Sequence, residues 1–210
     1  VLFEGRYPDA SNPKRTPRSQ GYSMGKLIAE NAFAEAAAES GLWEAITCCP
    51  ADNVGPILSA HQKDYGPWQH NIETMLTGKY DQNWVYRPWF PVDVRDNADC
   101  HIGLLESVQV ANAERYIAWS TDAVDVADIC ARIAIVLPEL SFAVSEPVEV
   151  HPERLQAREE KYRSNWAGCD LRNDRIRAVT GITFRPFDES LRDCVESLLA
   201  VADITPVVRE

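Results

Sequence analysis

Between Gly41 and Pro50 the chain reads Leu-Trp-Glu-Ala-Ile-Thr-Cys-Cys, and this short apolar run constrains the fold more than any other stretch. From about Glu44 to Cys49 it lacks the polar alternation of a half-solvated strand, which suits a parallel strand covered on both faces. Pro50 has no N–H to give a ladder, so pairing is expected to stop there. Upstream, a helix is expected from Tyr22 to Glu39, ended by Ser40-Gly41, since glycine readily takes the left-handed position after a helix. Alanines at 29, 32, 34, 36, 37 and 38 let that helix approach a sheet closely. Helix followed by buried parallel strand is the repeating element of an α/β protein. Ligands of open α/β sheets collect beyond the C-terminal ends of the strands, so the expected loop Pro50-Ala51-Asp52-Asn53-Val54-Gly55-Pro56 falls at a binding edge.

The helix opens with Tyr22-Ser23-Met24-Gly25-Lys26. Residues four apart share a helical face. An ammonium beside a phenol favours the phenolate, which brings a group with an ordinary pKa of about 10 toward proton exchange near neutrality. Such a pair suits acid/base work on a carbonyl or an alcohol.

Taken together, Tyr22 and Lys26, then Leu27-Ile28-Ala29-Glu30, the strand before Pro50 and the run Val92-Asp93-Val94-Arg95-Asp96-Asn97-Ala98-Asp99-Cys100-His101-Ile102 resemble the extended short-chain dehydrogenase/reductases. Within that superfamily of NAD-dependent epimerases and dehydratases the likeness is to the dihydroflavonol reductase, cinnamoyl-CoA reductase and aldehyde reductase branch. It continues through Arg115-Tyr116-Ile117, a helix near Val124 to Leu137, and Phe184-Arg185-Pro186-Phe187-Asp188-Glu189-Ser190-Leu191. The resemblance implies a partial Rossmann-type parallel sheet with helices on both faces and a smaller C-terminal substrate-binding α/β region. It implies NADP or NAD as cofactor, with Tyr22 as general acid/base and Lys26 holding the nicotinamide ribose. Pro50, Ala51 and Val54 correspond to the segment touching the nicotinamide, with a backbone amide at Val54 meeting the carboxamide. The substrate implied is a small carbonyl compound or alcohol, and a homodimer through the alanine-rich helix is a family-based expectation.

One part of that family pattern is absent. A dinucleotide site needs a glycine-rich turn whose amides meet the pyrophosphate at a helix N-terminus. The ten glycines here form neither Gly-x-Gly nor Gly-x-x-Gly. The family's catalytic serine or threonine also lies well upstream of its tyrosine, whereas Ser11, Thr16 and Ser19 lie too close to Tyr22 to take that role. The expectation is a C-terminal portion of a longer enzyme, with the choice between NAD and NADP made in the preceding part, and 210 residues that do not by themselves form a dinucleotide site. An incomplete sheet with Tyr22 facing open space follows from the same reasoning.

The formal charge of −11 argues against nucleic acid and anionic membrane surfaces, which ask for clustered positive charge. No apolar run approaches the roughly 18 residues of a membrane span. Six cysteines without C-x-x-C spacing, and four scattered histidines, give no metal pattern and read as free thiols of a reducing, cytoplasmic compartment.

Four regions follow: 1–56 as the remainder of the dinucleotide domain, 57–91 as a substrate-covering segment, 92–120 as a return to the sheet, and 121–210 as the C-terminal substrate region. The second carries Tyr65, Trp68, Tyr80, Trp84, Tyr86, Trp89 and Phe90. Aromatic side chains give large rigid contact areas in pockets, and Trp84 and Trp89 are the candidates for substrate contact. The alternative for each is a satellite core beneath loops. Asp93 or Asp96 is suited to capping the helix after the strand, and the charged stretch 150–177 to solvated helix faces. Two rival functions share these residues: a sugar-nucleotide epimerase or dehydratase, which would place more arginine near its cleft, and a non-catalytic homologue.

Overall fold

The computed structural model describes residues 17–62, 64–79, 89–120, 124, 126–138 and 172–206. Four strands are described, β1 (Thr47–Pro50), β2 (Asp52–Val54), β3 (Pro91–Asp93) and β4 (Arg115–Ala118). Six helices accompany them: α1 (Pro17–Ser40), α2 (Pro67–Leu76), α3 (Val94–Glu106), α4 (Val126–Val136), α5 (Asp174–Thr180) and α6 (Phe187–Val201). The chain divides into two compact units, one of residues 1–48 and 107–116 and the other of residues 49–106 and 117–210.

In the first unit α1 begins at Pro17, five residues before the expected start, because proline's fixed φ and missing N–H are tolerated in a first turn. It ends as expected: Gly41 sits at φ 63° and its N–H bonds the Ala37 carbonyl at 3.0 Å. Asn112 ties the helix to the chain entering β1, its Oδ1 accepting from Ala45 N–H at 2.9 Å and its Nδ2 reaching the Ala34 carbonyl at 3.4 Å. Because a side-chain amide takes the Ala45 donor, the strand starts at Thr47 rather than Glu44 and includes Pro50. Arg115 Nε donates to Glu30 of α1 at 2.8 Å.

β1 pairs with β4. Thr47 N–H bonds the Glu114 carbonyl and Ala51 N–H the Ala118 carbonyl, so both chains advance in the same direction and the pairing is parallel. β4 alternates as its sequence suggests, with Tyr116 and Ala118 buried and Arg115 and Ile117 exposed.

The second unit contains the larger core. Asp52–Val54, expected as loop, is a strand paired in parallel with β3, in the register Asp52↔Pro91, Asn53↔Val92 and Val54↔Asp93. The tripeptide has little strand propensity of its own. Pairing is imposed from outside: Asp52 N–H bonds the Phe90 carbonyl at 2.9 Å and the Asp52 carboxylate accepts Phe90 N–H at 2.9 Å. α6 turns Phe187, Leu191, Cys194, Val195 and Leu198 inward at three- and four-residue spacing. They meet Ile72, Met75 and Leu76 of α2, Ile129 and Ile133 of α4, and Val54. Trp89 lies in this cluster at 1% exposure, its ring 4.5 Å from that of Trp68 and its backbone bridged to Val124. Val124, expected to begin a helix, is held in that bridge instead, and α4 starts at Val126.

Charge is buried where β3 passes into α3. Asp93 caps the helix, its Oδ1 accepting Arg95 N–H at 2.8 Å, and Arg95 spans to Asp193 of α6 at 2.7 Å. Burial pushes the Asp93 carboxyl up, but hydrogen bonds from Arg95 and Ser190 and the Arg95 charge outweigh it and hold the group below its usual 3.8. Asp96 accepts the Arg185 backbone N–H at 2.7 Å and pairs with the Arg185 guanidinium, yet burial dominates and its pKa is raised.

Two outcomes are expected. Trp89→Ala opens a cavity beside Trp68 and should cost about 3–5 kcal/mol in denaturant unfolding. Asp93 has a lowered folded-state pKa, so its stabilisation is present above 3.8 and lost as pH falls through the folded value, whereas Asp96, with a raised one, contributes in the opposite direction. Asp93→Asn should therefore cost about 1–3 kcal/mol at pH 7. In urea unfolding the gap from wild type should narrow as pH drops below 3.8; a gap independent of pH would contradict the assignment.

Candidate functional site

α1 carries Tyr22 and Lys26 one turn apart on its first half, and the side chains meet: Lys26 Nζ lies 5.7 Å from the centre of the Tyr22 ring. This is within cation–π range. Tyr22 is 69% exposed. A phenol that open to solvent, with an ammonium against its ring, can reach a ligand without any rearrangement of the helix.

The second unit holds the other residues expected at the cofactor. Pro50, the last residue of β1, is exposed, Ala51 is half-buried and bonded through its N–H to Ala118, and Val54 is fully buried. At 0% exposure Val54 presents neither its side chain nor its main chain to solvent, and it pairs with Asp93 in the β2–β3 ladder. Beyond it the chain turns at Gly55, whose φ of 129° is a conformation other residues rarely adopt. A Cβ at Gly55 would also lie 3.0 Å from Val94 Cγ2 and 3.2 Å from Asp93 Oδ1. The turn and the buried carboxylate are thus in contact.

Three groups hold this turn. Gln69 Nε2 donates to the Gly55 carbonyl at 3.3 Å, and Ser197 Oγ accepts Ile57 N–H at 2.9 Å. Gly55 N–H points to the Cys194 thiol, which burial pushes up to about 12, so that it stays protonated. Sequence reading missed all three. Ser197 and Cys194 lie some 140 residues along the chain, and no local pattern connects them to a turn near Gly55. Gln69 had a detectable signal, a polar residue on the inward face that α2 otherwise fills with Ile72, Met75 and Leu76.

The aromatic stretch divides. Trp89 is core, Trp68 and Tyr65 pack against the same cluster, and Phe90 meets Trp119 edge-on at 5.8 Å. The Tyr65 hydroxyl donates to Glu73, which also accepts from His70 Nδ1 at 2.7 Å; burial and that carboxylate raise the phenol's pKa. Trp84, with Tyr80 and Tyr86, lies outside the described residues, as does most of the charged stretch 150–177. Among the described residues no helix is long and apolar enough to cross a membrane.

No protein-family model and no curated protein matches the sequence. Solved structures do match. The yeast methylglyoxal/isovaleraldehyde reductase Gre2, complexed with NADPH, superposes with a TM-score of 0.60 at 18% identity, over 85% of this chain and 54% of its own. RMD from Pseudomonas aeruginosa, complexed with NADPH, gives 0.58 at 16% identity over 93% of this chain and 63% of its own. UDP-glucose 4-epimerase from Bifidobacterium longum, in complex with NAD+ and UDP, gives 0.60 at 10% identity over 87% and 55%. The chain thus spans 54–63% of the length of these three structures. Its fold is the Rossmann-type α/β fold of these reductases and epimerases.

Proposed function

We propose that this chain is the tyrosine-bearing part of an NAD(P)-dependent oxidoreductase that reduces an aldehyde or ketone, or oxidises the corresponding alcohol. The observation that carries the reading is the contact of Lys26 with Tyr22 on an exposed turn, in a chain with the fold of reductases and epimerases that bind NADPH or NAD+. Tyr22 gives its hydroxyl proton to the substrate oxygen in the reducing direction and takes it back in the oxidising one. Lys26 holds the nicotinamide ribose. Pro50, Ala51 and Val54 belong to the segment that meets the nicotinamide in this reading. When bound, the dinucleotide supplies the hydride, and these residues supply orientation and electrostatics. A cytoplasmic site of action and a homodimer belong to the same reading.

In the complete gene product, Tyr22→Phe should lower kcat by about two orders of magnitude or more with cofactor affinity unchanged, as loss of a general acid requires. Lys26→Ala should weaken both. Near-normal turnover in Tyr22→Phe would end the assignment. Substrate class is tested by a panel with NADH and NADPH. A bulky apolar carbonyl compound should be preferred, with Trp84→Ala raising KM more than it lowers the melting temperature. Preference for a nucleotide sugar would favour the epimerase alternative.

A further inference from the structure

Gln69 occupies the first turn of α2 and is 5% exposed. Its Nε2 donates to the Gly55 carbonyl, whereas its Oε1 is buried with no hydrogen-bond partner among the described residues. That orientation is the one the neighbourhood permits, since reversing the amide would set two acceptors, Oε1 and the Gly55 oxygen, against each other. An apolar side chain would fill the same space without stranding a buried acceptor, so packing alone does not account for glutamine here.

Gly66 points the same way. Its φ of −63° and ψ of 157° suit any residue. A Cβ there would lie 2.6 Å from Gln69 Oε1, so what the glycine provides is room for that amide. Gly66, at the N-cap of α2, and Gln69 thus serve one hydrogen bond, and that bond ends on Gly55, whose φ is 129°.

We infer that Gln69 is a positioning residue: by fixing the Gly55 carbonyl it sets the path of the chain leaving β2, at the end of the segment proposed to meet the dinucleotide. The inference rests on the cofactor-facing role proposed for residues 50–54. Cys194 and Ser197 hold the same turn from α6, but only Gln69 does so with a group whose hydrogen-bonding direction can be changed at constant shape.

Hydrogen exchange over residues 52–57, Kd for NADPH and kcat are measured on the complete gene product carrying Gln69→Leu, Gly66→Ala or Gln69→Glu. Leucine removes the donor, and alanine displaces it without touching Gln69. Both should speed exchange over 52–57 and raise Kd about tenfold, the effect of one ordinary hydrogen bond. kcat at saturation and melting temperature should change little. Glutamate keeps the shape but presents a carboxylate to the Gly55 carbonyl until it is protonated, so its Kd should approach the wild-type value as pH falls and rise with pH where wild type is flat. A purely structural role would not give that profile. Unchanged exchange and Kd in Gln69→Leu and Gly66→Ala, or a pH-independent Kd in Gln69→Glu, would overturn the inference. A wild-type protein that binds neither NADPH nor NADH would overturn the cofactor reading instead, and exchange over 52–57 would still decide the positioning role, faster exchange in the variants supporting it and unchanged exchange refuting it.

Discussion

Asp93 is the joint on which the second unit depends. It ends β3, pairs in register with Val54, caps α3 through Arg95 N–H, and gathers Arg95 and Ser190 around a side chain with no solvent exposure. A buried carboxylate is tolerable only when its acceptor sites are filled, and here α3, through Arg95, and α6, through Ser190, fill them. The same oxygen lies beside Gly55 closely enough that a Cβ there would stand 3.2 Å away. The turn after β2 therefore packs directly against the side chain at the end of β3. A substitution that let Asp93 move would change the cap and the turn together.

The helix that bears Tyr22 and Lys26 is built on different terms. Among its described side chains only Ala37 is buried, while Tyr22, Ile28 and Phe33 are largely exposed. In its own unit it is held by polar links, the Glu30–Arg115 ion pair and Asn112 at the Ala34 carbonyl, and by the edge-on contact of Phe33 with Trp43 at 6.5 Å. Half-exposed ion pairs contribute little, of order 0.2–1 kcal/mol. Intrinsic propensity matters correspondingly more, and the alanine run between Ala29 and Ala38 supplies it. Exposed apolar residues on a helix of this kind are available for contact with other groups.

Much of this was legible in the sequence because it is local. The end of α1 at Gly41 follows from the φ that glycine permits, the cap at Asp93 from a carboxylate one residue before a helix, and the contact of Lys26 with Tyr22 from helical spacing. What was not legible is set by distant partners. Asp52–Val54 has the composition of a loop and becomes a strand because β3 is beside it. Ala45 and Ile46 have the composition of a strand and stay outside it because Asn112 takes the Ala45 N–H. Trp89 could have been assigned to a pocket or to a core on aromatic content alone, and the neighbours that decide, Trp68 and Val124, are recorded nowhere near it in the chain.

The turn at Gly55 brings these two classes of constraint together. Glycine at a positive φ is a local signal, but it permits a conformation without enforcing it. Enforcement comes from three contacts of different character: an amide from α2, a hydroxyl at Ile57 and a thiol at Gly55 N–H. The thiol suits the third role. Sulfur is a weak acceptor and behaves otherwise as a small apolar group, so Cys194 can sit among Leu191, Val195 and Leu198 without needing a partner for its own hydrogen. A serine in its place would accept more strongly but would bring an O–H into the core that must also be satisfied. Because burial keeps the thiol protonated, the contact does not change with pH across the neutral range. The neutral donors and acceptors around Gly55 thus form a pH-insensitive clamp beside the titratable Asp93.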